Sequence, residues 1–225
     1  MVDNNHYHHL VFGQNALDRQ RRNGSYVAYG VHTERTDDGP MGLGAREANL
    51  IKKATQFYAA TITPSGWPYL QYRSGPQGFL HVLDDKTIAF ADFRGNNQFV
   101  TVANLEHNKR IALILVDYPR KLRLKLFATA SVIEGSDDPE LLETLRHTPS
   151  GTIAAKCERS IVLKVEAIDW NCSRSIIPRF DREYVKELSA LYAADAARER
   201  ETLQRRIAEL EAEVATLSGG RDDQS

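Results

Sequence analysis

The stretch QFYAATITPSGWPYLQYRSGP, residues 56–76, decides the fold class. Its first part, FYAATIT (57–63), is dense in aromatic and β-branched residues, which suit the pleated, half-buried surface of a strand. Pro64-Ser65-Gly66 supplies a turn, and residues 69–73 return antiparallel. Outward from this hairpin the same chemistry repeats. Residues 78–83 and 87–93 flank Asp84-Asp85-Lys86, a second hairpin connection. A short helix over 98–106 leads to the apolar strand IALILVDY (111–118), then to a strand over 122–134. A helix follows over 139–146 with proline in its first turn, and IVLKVEAIDW (161–170) completes the set. Many short strands with brief helices predict a mainly β (α+β) fold, an antiparallel barrel closed in whole or in part. No repeat of 20–50 residues is visible.

Composition narrows the function classes. The chain has 225 residues, with 29 Lys and Arg against 30 Asp and Glu, a balance that favours neither nucleic acid nor a membrane surface. Cys157 and Cys172 are too few and too isolated for a disulfide framework or a zinc site, so a reduced, cytoplasmic setting is expected. No apolar run has the length of a membrane span. Gly42-Leu43-Gly44 lacks the register of a dinucleotide loop, and there is neither a Walker A lysine motif nor a Gly-x-Ser-x-Gly elbow.

Outside the strands, residues 1–44 read as an N-terminal extension with a helix over 14–22, and a further helix covers 45–55. His6, His8 and His9 could ligate a metal but lack an acidic or cysteine partner, which favours a mobile tail. At the other end, Leu203, Ile207, Leu210, Val214 and Leu217 are spaced 4-3-4-3, the heptad spacing of an amphipathic helix. That helix, expected over 186–217, packs either on its own domain or on another chain. Residues 218–225 are expected to fray.

One constellation has the character of a site. Gln71 and Arg73 share a face of their strand by period-two alternation. Asp92 ends the strand over 87–93, and Arg94-Gly95-Asn96-Asn97-Gln98 follows as a loop of amides and glycine before a helix, where backbone N–H groups can meet a phosphate or a ring carbonyl. Arg123 and Lys125 share a strand face and are expected to turn inward, where a phosphorylated ligand would compensate them; a solvated face is the alternative. Cys157 reads as a small core residue, and Asp117 as a base or, more ordinarily, a cap or salt-bridge partner.

Together these motifs resemble the FMN-binding, pyridoxamine 5′-phosphate oxidase-like proteins. The resemblance rests on Phe57-Tyr58-x-Ala60-Thr61, on Gly66-x-Pro68-x-x-Gln71-x-Arg73-x-Gly75-Pro76-x-Gly78-Phe79-Leu80, and on Phe90-Ala91-Asp92 with Gly95-Asn96. It continues through Asn104-Leu105-x-x-Asn108, Asp117-Tyr118 and Arg123-Leu124-Lys125 to Val165-Glu166-Ala167-x-Asp169-Trp170-Asn171-Cys172 and Pro178-Arg179-Phe180, an ending characteristic of one bacterial subgroup. It implies a six-stranded antiparallel split β-barrel over 45–185, flanked by helices and followed by the heptad helix. It also implies a homodimer with FMN at the subunit interface. Gln71, Arg73, Gly95, Asn96 and Asn97 would then serve the phosphate end, Asp92 would belong to the same cofactor site, and Arg123 and Lys125 would serve the flavin. Trp170 and Arg179 would come from the partner, although a tryptophan at a strand end is also ordinary packing. The expected activity is an FMN-dependent oxidoreductase acting on a small organic molecule. The alternative is a non-catalytic flavin, haem or deazaflavin carrier, with His81 and His107, otherwise surface residues, as candidate haem ligands. The segment Arg94–Gln98 departs from the oxidase's basic phosphate clamp, so vitamin B6 synthesis is not expected.

Overall fold

The computed structural model describes residues 5–171 and 174–219. The expectations for Cys172 and for the end of the tail from residue 220 therefore lie outside the described residues. The chain divides into two compact units, up to Ile177 and from Pro178 onward.

The first unit is an antiparallel sheet with helices around it. Strands β1 (Gln56–Ile62) and β2 (Pro68–Ser74) form the expected hairpin; β3 (His81–Val82), β4 (Thr87–Phe93), β5 (Arg110–Asp117) and β6 (Leu122–Glu134) follow. A small hairpin, β7 (His147–Thr148) and β8 (Gly151–Thr152), precedes the last long strand, β9 (Cys157–Trp170). The main sheet has the order β2-β1-β5-β6-β9-β4-β3. Six of its strands have seven residues or more, and β3 adds only two. β3 is shorter than expected because Pro76 closes a turn with the Phe79 amide and Gly78 takes φ +88°, which sends Phe79 into the core instead of along a strand.

The sheet is open between β2 and β3 but strongly curled, as in a split barrel. The Phe57 ring of β1 lies 5.3 Å from the Phe90 ring of β4, although three strands separate them in the sheet, and 5.8 Å from Phe79. Leu124, Leu126, Ala128 and Ala130, every second residue of β6, fill the interior with Ile161, Leu163 and Val165 of β9. Register shifts at Phe127/Ala128 and Asp92/Phe93 mark bulges that sharpen the bend.

Helices cover what the curl leaves. α1 (His6–Val11) lies over the outer face of β6, with Tyr7 stacked on Phe127 at 5.8 Å. The segment from Asn5 to Val11, with His6, His8 and His9, is thus no mobile tail. Asn5 is buried and bonded to Asp38 and to the Thr36 carbonyl, and the His6 imidazole meets Asp37 at 2.7 Å. Pairing with acidic residues more than thirty positions away, invisible to spacing rules, holds it. α2 (Gln14–Asn23) stops at left-handed Gly24. α3 (Ala45–Lys53) and α4 (Val100–His107) pack against the sheet, and α5 (Pro139–Arg146) begins at Asp138, whose carboxylate accepts the Leu141 amide at 2.9 Å.

The second unit contains one long helix, α6 (Arg182–Gly219), of 38 residues. It still includes positions 218 and 219, where fraying was expected. Among the described residues no helix is long and apolar enough to cross a membrane.

The β6 alternation makes a direct prediction. Leu126→Ala should cost about 2–5 kcal/mol of stability in urea unfolding. Lys164→Ala, exposed on the neighbouring strand, should stay within about 0.5 kcal/mol.

Candidate functional site

Tyr69, Gln71 and Arg73 alternate along β2 on the face that turns toward the opening of the sheet. Opposite them β4 ends in Asp92, followed by the loop 94–99. Asn97 and Phe99 in this loop adopt positive φ of 61° and 53°, which holds it out of the helix and delays α4 to Val100. These segments line a cleft of about 300 Å³. Its walls include Gln71, Arg73, Asp92, Gly95, Asn96 and Asn97, so six of the expected site residues share one cavity.

Asp92 organises the floor. It is 4% exposed, and its two oxygens accept from two guanidiniums: Arg73 Nη1 at 2.5 Å and Arg159 Nη1 at 3.0 Å. Arg159, 8% exposed, also donates through Nε to Glu134 at 3.0 Å, and lies 5.3 Å from the Phe99 ring centre. Gln71 Oε1 accepts from the Tyr69 hydroxyl at 2.6 Å. Two donor groups with capacity to spare belong to segments that line the cleft. The Nε of Arg73 is buried without a hydrogen-bond partner, and no side chain caps the first turn of α4, whose Val100, Thr101 and Val102 line the cavity. Backbone N–H groups at a helix start together with a guanidinium N–H make a place for an anion.

Arg159, Tyr69 and Phe99 did not stand out in the sequence, whereas the backbone N–H groups ahead of α4 did. Arg159 had a signal. It precedes Ile161, Leu163 and Val165 at the same parity, so a strand extended two residues back puts a charge on the buried face.

Arg123 and Lys125 are not inward cations. The inner parity of β6 belongs to Leu124 and Leu126, and both basic residues lie half-buried on the outer face. There Lys125 Nζ meets Asp169 at 3.0 Å and donates to the Tyr7 hydroxyl at 3.3 Å. Burial works against this ammonium, but those two partners outweigh it and hold its pKa above the usual lysine value. Trp170 Nε1 donates to Glu47, with the Arg46 guanidinium 3.8 Å above its ring. Arg123, Lys125 and Trp170 do not line the cleft, and Arg179 belongs to the second unit.

The remaining candidates have structural roles. Asp117 accepts from the Arg120 amide and guanidinium, both at 3.0 Å. Burial pushes the half-buried Cys157 thiol up, away from nucleophile character. His81 is half-buried, not a surface residue: it sits against α5 with Nε2 3.1 Å from the Leu145 carbonyl, and burial lowers its pKa. His107 is exposed on the last turn of α4. Among the described residues no three His, Cys, Asp or Glu side chains gather as a metal site.

A family model described as pyridoxamine 5′-phosphate oxidase matches residues 45–168. No curated protein matches. Similar solved structures include HupZ of Group A Streptococcus, 19% identical over 61% of this chain and 99% of that one, with a TM-score of 0.45. An FMN-binding protein from Syntrophomonas wolfei is 14% identical over 55% and 87%, TM-score 0.43. General Stress Protein 26 from Bacillus anthracis is 16% identical over 60% and 93%, TM-score 0.40.

Removing the Asp92 carboxylate should expose how the floor is held. Asp92→Ala leaves two guanidiniums close together without their shared anion, and should lower stability by about 3–5 kcal/mol in urea unfolding. Adding phosphate should recover part of the loss, because an anion can take the vacated place.

Proposed function

The chain belongs to the pyridoxamine 5′-phosphate oxidase family, and from that premise we propose that it is an FMN-dependent oxidoreductase acting on a small organic substrate as a homodimer. The observation that carries the reading is the buried Nε of Arg73, without a partner, beside the uncapped start of α4. A flavin phosphate fits such a donor set. Two to three backbone N–H groups of α4, the amides of Asn96 and Asn97 and the Arg73 guanidinium would hold it, with Gly95 allowing close approach of the loop. The cleft lies at the lower end of the range for ligand pockets, which suits one end of the cofactor and leaves the ring to a surface beyond it.

FMN would supply the redox chemistry, accepting and passing on a hydride equivalent. The protein's own contribution is placement and charge. Asp92 offsets the charge of Arg73 and Arg159 and fixes the Arg73 side chain, so the anion-binding edge is rigid before any ligand arrives. Arg123 and Lys125 are proposed for the ring end, and Trp170 with Arg179 for the partner's share.

A second copy has a place to dock. The face of β2 opposite Gln71 and Arg73 carries Leu70, 71% exposed, and Tyr72, continued by Trp67, 73% exposed, and Tyr58. An exposed apolar face of this kind beside a cleft supports a subunit contact. It would put the cofactor's far end near both chains.

The reading is tested on the purified protein by absorption spectroscopy and by equilibrium dialysis with FMN. Arg73→Gln should weaken FMN retention roughly tenfold or more, the value of a charge-assisted hydrogen bond. Arg94→Gln, exposed in the loop, should change it by less than about twofold, a surface effect. Equal losses would remove the phosphate assignment. Bound flavin should bleach with NADH or NADPH in the absence of air and recover with oxygen. Flavin that binds but is never reduced by either donor or by candidate substrates would make the protein a carrier.

A further inference from the structure

The long helix α6 carries a stripe that its own unit leaves open. Leu203, Ile207, Leu210 and Val214 are 57, 54, 42 and 61% exposed. A helix of 38 residues extends about 57 Å at 1.5 Å per residue, and most helices of soluble proteins owe their stability to packing of such a stripe. Its identity is specific. Written as heptads, Ile207 and Val214 occupy the a positions and Leu203 and Leu210 the d positions. β-branched residues at a with leucine at d favour the parallel two-stranded arrangement.

The flanking charges agree. In that register Arg206 falls at g and Glu211 at the following e, the pair of positions that face each other between parallel helices. Two copies would thus bring two opposite-charge pairs together. Within its own helix Arg206 reaches Glu209 at 2.9 Å, an exposed pair that the contact with Glu211 of the second copy would replace. One heptad earlier the a position is Arg200, and the d and a positions before it are Ala196 and Ala193. A charge at a costs stability and fixes register, so the tight seam begins at Leu203.

We propose that residues 203–214 pair with the same segment of a second copy of this chain as a parallel two-stranded coiled coil. The contact adds to the homodimer proposed above but stands on α6 alone and needs no cofactor. Parallel pairing brings like ends of the two chains together and holds the two N-terminal units at high effective concentration. It would keep a subunit-interface site assembled at dilutions where a sheet contact alone would dissociate.

The test uses the full chain with Cys157 and Cys172 replaced by alanine and one new cysteine added. Under mild oxidation Leu210→Cys should give a disulfide-linked dimer for most of the protein, because d positions of parallel helices face their own copies. Arg205→Cys, at the outward f position, should remain monomeric on the same gel. Equal cross-linking of the two, or none at Leu210→Cys in a chain whose helical content is unchanged, would overturn the pairing. A mixture of Ile207→Cys and Leu210→Cys chains that cross-links better than Leu210→Cys alone would show antiparallel helices and overturn the proposal as well. Flavin retention is read separately on the same samples, so a failed cofactor assignment leaves this result intact.

Discussion

Two arginines converge on the buried carboxylate of Asp92, and much of the first unit depends on that meeting. β2 and β4 are not paired by backbone hydrogen bonds; the sheet order places them near opposite ends. Arg73 from one and Asp92 from the other nevertheless form an ion pair across the opening, and Arg159 ties the same carboxylate to β9. Taking three charges out of water is expensive, and their attraction offsets that cost only while all partners are present. The arrangement therefore specifies one curl of the sheet more than it adds stability. Apolar contacts reinforce the same closure through the Phe57, Phe79 and Phe90 rings, as does the bond from Asn104 Nδ2 to Thr61 Oγ1 at 2.9 Å.

This closure also shapes the cleft. Because Asp92 holds Arg73 by one terminal nitrogen, the Nε edge of the guanidinium stays unengaged and buried. The bulge at Asp92/Phe93 breaks the ladder where β4 must release the chain into the loop, and the two positive-φ residues that follow aim the start of α4 at the same space. Strain in the loop and an unsatisfied donor beside it are features that a purely structural segment would tend to lose.

How far the sequence could be read follows from which interactions are local. β1, β2, β4, β5 and β6 and helices α3 and α5 were legible within two residues, since alternation, turns and caps act over a few positions. Parity and motif order group Gln71, Arg73, Asp92 and the 95–97 loop, and the fold brings them to one cleft. Arg159 escapes the pattern because the apolar alternation marks β9 only from Ile161, four residues after the strand begins. Arg123 and Lys125 were assigned inward because two basic residues at one parity do not reveal which parity faces the core; only the neighbouring Leu124 and Leu126 decide that. The order of residues 5–11 is illegible for a different reason. Its anchors, Asp37 and Asp38, lie beyond any local window.

β2 gives the proposed function its internal logic. It is an edge strand, and edge strands need protection from uncontrolled pairing. One face presents Arg73 and Gln71 to the cleft, and the other presents Leu70 and Tyr72 outward. A ligand bound to Arg73 and a subunit docked on Leu70 and Tyr72 would both restrain the same seven residues. Each would then reduce the conformational freedom the other has to remove, which makes binding and association mutually favourable by linkage. On this argument ligand binding and association would form a single equilibrium, and a coiled coil that keeps two copies close would strengthen both without touching either contact.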